Sequence, residues 1–252
     1  MGDHVFVIIV LYMAKLEVKN VSVFYENKKV ETQVLFDASF KINENEITAI
    51  IGYSGSGKTT ILNCISGRLV FDGEIYLDDK NIESIPVQKR NIAYVNQSFV
   101  LYPHMTIYDN IANPLKNLKV PHDLMDQKVK EISDKLGILY LLTRRPKQLS
   151  IGQQQRVAIA RALVKNPDIV LFDEPLSNLD IEVSREIKSL IKEYKKNNKV
   201  TMIYVSHNIN DVIELADSII IVNEGKIIGH YKSKELLKLN SELIKNLTTD
   251  LK

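Results

Sequence analysis

Apolar positions along this chain follow two rhythms, and the switches between them mark out three stretches. In the first, short apolar runs at residues 16–18, 21–24, 38–42 and 47–51 predict strands, because they are brief and rich in β-branched and aromatic side chains. Asn45 falls in the turn between the last two runs, where asparagine tolerates a positive φ better than other non-glycine residues. Two more strands are predicted at 74–77 and 92–95. The second stretch, 107–163, is mostly helical: Met125, Val129, Ile132 and Leu136 recur at helical spacing, and Gly137 follows as a C-terminal cap. It reads as an inserted helical lobe spanning about 98–163.

From Ile169 onward strands and helices alternate as βαβαβ, with strands at 169–172, 200–205 and 218–222 and helices at 181–197 and 209–215. Val183, Ile187, Leu190, Ile191 and Tyr194 share one helix face while Lys188, Lys192, Glu193 and Lys196 fall elsewhere, as a helix covering a parallel sheet requires. The wholly apolar runs 169–171 and 219–222 suit strands buried on both faces. After Gly225 the pattern predicts one short strand and a polar helical tail, without room for a second domain. The expected organisation is one α/β domain over 14–252, preceded by an extension over 1–13. Met13 opens a second candidate start, so residues 1–12 read as a start-site extension, with an extra edge strand or a membrane-touching tip as alternatives.

Composition narrows the picture a little. With 33 Lys plus Arg against 31 Asp plus Glu, the formal charge of +2 argues neither for a nucleic-acid footprint nor for a polybasic membrane anchor. The single cysteine, Cys64, excludes an intrachain disulfide, suits a reducing compartment and is expected to be a buried core residue. The longest apolar run, 5–14, is half of what a membrane-spanning helix needs, so no span is expected.

Candidate chemistry begins directly after the run 47–51. Gly52, Tyr53, Ser54, Gly55, Ser56, Gly57, Lys58, Thr59 and Thr60 fit the pattern G-x-x-x-x-G-K-[ST], a loop whose main-chain N–H groups point at phosphate oxygens. The following helix N-terminus adds partial positive charge. In that reading Lys58 reaches the β- and γ-phosphates and the Thr59 hydroxyl holds Mg²⁺. Asp173 and Glu174 close the apolar run 169–172, and a carboxylate at the end of a buried strand near a phosphate loop suits a Mg²⁺-holding aspartate. Glu174, its neighbour, is the candidate general base for the attacking water.

Between these motifs lies Gln148-Leu-Ser-Ile-Gly-Gln-Gln-Gln-Arg156, which resembles the signature of the ATP-binding cassette family. The other marks follow in family order: Tyr25, Gln97 in Tyr-Val-Asn-Gln, the turn Leu176-Ser-Asn-Leu-Asp180, and His207 in Tyr-Val-Ser-His. The resemblance runs from about residue 16 to 229. Taken singly, each has a plainer reading: Tyr25 as a half-buried strand aromatic, Ser150 as a helix N-cap, glutamines 153–155 as a solvated helix start, His207 as a capping or core histidine.

The resemblance implies a P-loop NTPase core with a mainly parallel sheet, an N-terminal antiparallel β subdomain and an inserted α-helical subdomain. It implies ATP and Mg²⁺ as cofactors, Tyr25 as the adenine platform, Gln97 at Mg²⁺ and the attacking water, and His207 at the γ-phosphate. It further implies that Ser150, Gly152 and Gln153 bind ATP held by a second cassette subunit, with Asp180 at the subunit contact. Ile151 departs from the pattern by replacing the first signature glycine; it removes freedom for positive φ and brings in a bulky side chain, so full but slower hydrolysis is expected.

The stretch 101–121 resembles the ATPase subunits of carbohydrate importers, where such a segment receives a coupling helix from membrane subunits. Tyr102, Pro103, His104 and Met105 are the candidates for that surface. The expected partners are transmembrane permease subunits, a second cassette subunit and, indirectly, a solute-binding protein, at the cytoplasmic face of the membrane; no nucleic acid is expected. Carbohydrate-importer ATPases commonly carry a regulatory domain on the order of 100 residues after the cassette. This sequence stops at Lys252, which weakens the sugar assignment and keeps osmolyte and polyamine import open. A soluble cassette ATPase acting on DNA or ribosomes would call for two cassettes, a long coiled-coil insertion or a basic face, and none is visible. A nucleotide-gated interaction protein with weak catalysis is the third class, with Ile151 its one hint.

Overall fold

The computed structural model describes residues 14–27, 30–177 and 179–236, so the reading of residues 1–12 lies outside the described residues. The chain opens with two long antiparallel strands, β1 (Ala14–Asn27) and β2 (Val30–Asn43). The short runs predicted there are pieces of these longer strands. β1 was legible only in fragments because its register shifts between Val18 and Val21, where Asn20 turns to φ 50°, and the apolar alternation breaks with it. The start of β2 is polar because Glu31 and Thr32 are exposed.

After β3 (Ile47–Ile51) come α1 (Lys58–Ser66), β4 (Asp72–Leu77), β5 (Lys80–Asn81) and β6 (Ile92–Val95). The helical segment follows as α2 (Ile107–Asn117), α3 (His122–Lys135) and α4 (Ile151–Leu163). The alternating part is β7 (Ile169–Asp173), α5 (Ile181–Asn197), β8 (Thr201–Val205), α6 (Ile209–Leu215) and β9 (Ser218–Asn223), closed by β10 (Lys226–Lys232) and α7 (Ser233–Leu236). Asn45 takes φ 58° in its turn, and Gly137 takes φ 65° just past α3, as the sequence predicts.

Two sheets result. The smaller is antiparallel in the order β2-β1-β4-β5; the larger runs β10-β9-β3-β8-β7-β6, parallel from β6 to β9 with β10 as an antiparallel edge. Successive residues of a strand face opposite sides, so β7 feeds two cores at once. Ile169 and Leu171 join a core with the antiparallel sheet and α1, whereas Val170 and Phe172 join one built with α2 to α5. All four are fully buried, which is why this strand reads as an unbroken apolar run.

Helices α5 and α6 are tied across the surface by Lys188, which donates to Asp211 at 2.9 Å and to Glu214. Burial alone would lower the Lys188 pKa, but its bonds to Glu214 and Asp211 outweigh burial and hold it above the ordinary lysine range. The same contact holds Glu214 below the ordinary glutamate value of 4.5. Lys188→Met is expected to destabilise the fold by about 2 kcal/mol near neutral pH, because it strips Asp211, whose side chain is 13% exposed, of its ion partner and removes one of the two lysines that bond Glu214. A lowered carboxylate pKa stabilises above the unfolded value and is lost as pH falls through the folded one. Urea melts should therefore show the gap between natural protein and variant closing below about pH 4.5 and persisting in mild alkali.

Candidate active site at the carboxyl edge of the sheet

In an open parallel sheet the strands' carboxyl ends share one edge, and ligands bind in the crevice outside it. Here β3, β8, β7 and β6 are neighbours, and each releases a candidate residue at that edge: the phosphate loop after β3, His207 after β8, Asp173 and Glu174 at the end of β7, and Gln97 after β6. Residues separated by more than a hundred positions in sequence thereby meet.

The loop from Gly52 to Gly57 turns tightly into α1, which Gly57 caps. Gly52 is imposed by packing, since a Cβ there would lie 2.0 Å from the Val222 carbonyl oxygen. Lys58 is 5% exposed, and its ammonium donates to the carbonyls of Gly52 at 2.9 Å and Tyr53 at 2.7 Å. Burial lowers its pKa, partly offset by the negative charges of Glu174 and Asp173. Thr59 Oγ1 donates to Asp173 Oδ1 at 2.9 Å, joining α1 to the end of β7. A second hydroxyl, that of Tyr94 on β6, donates to Asp173 Oδ2 at 2.9 Å. The Tyr94 phenol is pushed well above its ordinary range by burial and then by the Asp173 charge, so it remains a donor.

Glu174 sits at φ 46°, a left-handed conformation that costs a non-glycine residue about 1–2 kcal/mol. Its N–H donates to the Val205 carbonyl at 3.1 Å, and Ser177 returns to its carbonyl through both N–H and Oγ. So anchored, the Glu174 carboxylate stands 3.1 Å from His207 Nδ1. Gln97 Nε2 donates to Ser177 Oγ at 3.3 Å, so its side chain rests on the turn that follows Glu174.

A cleft of about 400 Å³ is lined by loop residues Ser54, Gly55 and Gly57 to Thr60, and by Tyr25, Val34, Gln97 and Glu174. Tyr25 is 43% exposed beside it, available as a stacking surface. The residues present fit a nucleoside triphosphate: a loop with no room for a Cβ at Gly52, a buried cation and a helix N-terminus converge on one cleft. They fit Mg²⁺ as well. Thr59 and Asp173 offer a hydroxyl and a carboxylate, hard oxygen donors, and Mg²⁺ is held by one or two such groups plus substrate phosphates rather than by a full protein cage. Among the described residues no cluster of three or more His, Cys, Asp or Glu forms such a cage.

Ser150, Gly152 and Gln153 do not line this cleft. Ser150 is the N-cap of α4, its hydroxyl accepting from the Gln153 N–H at 3.3 Å while the Gln153 side chain accepts from the Ser150 N–H at 3.1 Å. The plainer reading of Ser150 thus holds alongside any role toward nucleotide. Gly152 is required by packing: a Cβ would stand 2.7 Å from Val183 Cγ1 at the start of α5. Asp180 caps that helix by accepting from the Val183 N–H at 2.8 Å.

Ile151 is the first residue of α4, absent from the positive-φ positions, and its side chain is 57% exposed. The concern over backbone freedom at Ile151 therefore finds no counterpart here: the helix accommodates it without strain. The reading of glutamines 153–155 as a solvated helix start is corrected at Gln155. It is fully buried, its amide without a hydrogen-bond partner among the described residues, because it shares an inward-facing stripe of α4 with Ala158, Ile159 and Ala162. Cys64 is buried in α1, and burial raises its thiol to about 12, so it behaves as a small apolar side chain.

Tyr94 and Arg68 also belong to the site, although no motif in the sequence singles them out. Arg68 lies 3.9 Å over the Tyr94 ring and donates to Asn96 Oδ1 at 3.2 Å. Only the period-two position of Tyr94, which puts it on the same sheet face as Asp173, could have pointed to it. Of the 101–121 segment, Tyr102, Pro103 and His104 are exposed and Met105 half-buried. Tyr102 lines a groove of about 440 Å³ with Pro114 and Leu118 near α2 and Arg161 and Lys165 near α4.

A phosphate loop after β3, a carboxylate pair after β7 and an inserted helical segment between them define a P-loop nucleotide-binding cassette. The sequence model of the ABC transporter family matches residues 35–177, and the chain belongs to that family. It is 41% identical over 222 residues to the molybdate/tungstate import ATP-binding protein WtpC of Pyrococcus abyssi, covering 88% of this chain and 63% of that one. It is 42% identical over 202 residues to the trehalose/maltose import ATP-binding protein MalK of Thermococcus litoralis, covering 77% of this chain and 54% of that one. The chain thus spans about three fifths of the length of the curated relatives it matches. Among solved structures, a dimeric ATP-binding cassette in a post-hydrolysis state bound to ADP and Pi superposes with a TM-score of 0.79 at 31% identity, covering 86% of this chain and 98% of that one. Among the described residues no helix is long and apolar enough to cross a membrane.

Proposed function

We propose that this chain is the ATP-binding and ATP-hydrolysing subunit of an importer, coupling hydrolysis to uptake of a small solute through permease subunits at the cytoplasmic face of the membrane. The observation that carries the reading is the meeting of Lys58, Thr59, Asp173, Glu174, His207 and Gln97 at one sheet edge, in a chain whose relatives are named import ATP-binding proteins. In it the loop amides and Lys58 bind the phosphates, with Tyr25 under the base. Thr59, Asp173 and Gln97 would hold Mg²⁺, which would supply positive charge beside the phosphoryl group. Glu174 takes the proton of the attacking water, and His207, within hydrogen-bond reach of it but outside the residues that line the cleft, holds the Glu174 carboxylate in place and would meet the γ-phosphate once nucleotide is bound.

Ser150, Gly152 and Gln153 lie outside the cleft, which fits a site completed by the same segment of a second copy in a two-fold dimer. ATP then favours the closed pair because only there does the signature segment meet the γ-phosphate. The groove beside Tyr102 is the surface proposed for the permease coupling helix. Carbohydrate stays among the candidate cargoes, but the relatives' names divide among sugars, a sugar-alcohol phosphate and metal oxyanions, so the cargo class proposed is small solutes. The test is phosphate release by the purified chain, together with its retention on membranes carrying its permease. Absence of both Mg²⁺-dependent hydrolysis and membrane retention would overturn the reading.

A further inference from the structure

Asp173 is 8% exposed, and each of its carboxylate oxygens is met by a different hydroxyl, Thr59 at Oδ1 and Tyr94 at Oδ2, both at 2.9 Å. The two donors differ in what holds them. Thr59 is the second residue of α1 and belongs to the phosphate loop, so its hydroxyl is committed to the nucleotide side. Tyr94 comes from β6, the strand paired with β7, in register opposite Leu171. Leu171 and Asp173 share a strand face, so the phenol runs along that face and reaches the carboxylate from behind. Its ring is fixed in turn by the Arg68 guanidinium, 3.9 Å over the centroid, and Arg68 also bonds Asn96, the residue before Gln97.

We propose that Tyr94 is a positioning residue for the metal-binding carboxylate: its hydroxyl pins Asp173 Oδ2, fixing the carboxylate plane so that Oδ1 stays turned to Thr59 and would be free for the metal. The proposal rests on the reading of the cleft as a Mg²⁺–ATP site. A carboxylate with one free oxygen can rotate about its Cβ–Cγ bond, whose torsion is broad and roughly two-fold. Holding one oxygen removes that freedom before the metal arrives, which is how the groups around a metal ligand raise affinity. Arg68 adds a tether, since it joins the Tyr94 ring to the residue preceding Gln97, the other side chain proposed to reach the metal.

The variant is Tyr94→Phe, which keeps the ring under Arg68 and removes one hydroxyl. The natural chain and the variant are compared in three measurements: ATP affinity without metal, Mn²⁺ affinity of the protein–ATP complex by electron paramagnetic resonance, and the Mg²⁺ dependence of phosphate release. Tyr94→Phe is expected to leave metal-free ATP affinity within twofold and to weaken Mn²⁺ binding by roughly tenfold, the lower end for lost outer-shell partners. The Mg²⁺ concentration for half-maximal hydrolysis should rise by the same factor, with a smaller change at saturating Mg²⁺. Arg68→Ala should shift metal dependence in the same direction by less, and add little on top of Tyr94→Phe. Unchanged Mn²⁺ affinity in Tyr94→Phe overturns the proposal, as does an equal loss of metal-free ATP affinity, which would mark a structural role. If the natural chain binds neither ATP nor Mn²⁺, the functional reading fails first and carries the proposal with it.

Discussion

Replacing Glu174 with glutamine is expected to slow phosphate release by about 10²- to 10⁴-fold while leaving ATP binding intact, the range lost when a positioned general base can no longer accept a proton. The effect is expected to be this large because the neighbouring carboxylate is not free to stand in for it. The Glu174 carboxylate is held at the end of β7 by backbone bonds to Val205 and Ser177, and the adjacent Asp173 is already engaged by two hydroxyls. Glutamine is nearly isosteric and its amide oxygen can still face His207, 3.1 Å away in the natural chain, so the cleft should keep its shape. Steady-state kinetics with a fluorescent-nucleotide titration separates the outcomes. A variant that turns over at the natural rate would remove Glu174 from the role of base.

Lys58→Met carries the second large effect, on binding. The ammonium is almost wholly buried and, among the described residues, bonds carbonyls of its own loop, where an incoming phosphate offers a stronger, charge-assisted partner. A hydrogen bond to a charged group contributes about 1.5–3 kcal/mol, so ATP affinity should fall roughly ten- to a hundredfold. Methionine fills similar volume without charge, and the fold should persist with a small loss from the carbonyls of Gly52 and Tyr53 left without their donor. Nucleotide titration and a thermal melt, run side by side, tell lost affinity from lost folding. Unaltered affinity in a folded variant would mean that the loop binds phosphate through its amides alone.

What the sequence made legible follows from how local each signal is. The phosphate loop was readable because its spacing, the apolar run before it and the helix after it all lie within twenty residues. The parallel sheet was readable because burial on both faces leaves an unbroken apolar run at 169–172, and its amphipathic cover at α5 has the helical period. Contacts between distant strands were not. The Tyr94–Asp173 bond joins positions 79 apart, and the alternation of β6 assigns Tyr94 a face without revealing that β7 lies beside it. The pairing of Glu174 with His207 depends on β7 and β8 being neighbours, which sequence order alone does not dictate. At Gln155 the polar side chain masked an inward-facing helix position, and at Ile151 an expected backbone conflict disappears because the residue enters a right-handed helix.

The cleft beside Lys58 is proposed as half of a site, completed by the α4 N-terminus of another copy. The most direct test is the solution mass, by light scattering, of the Glu174→Gln protein with Mg²⁺ and ATP, with and without Ser150→Asp. Aspartate keeps the N-cap that Ser150 provides to Gln153, so α4 stays formed, but it sets a negative charge against the phosphate of the facing subunit. ATP is expected to double the mass of Glu174→Gln, and adding Ser150→Asp to return it to the 28.8 kDa single chain while each chain still binds ATP. A Glu174→Gln protein that stays single with ATP bound, or a pair indifferent to Ser150→Asp, would contradict the proposal.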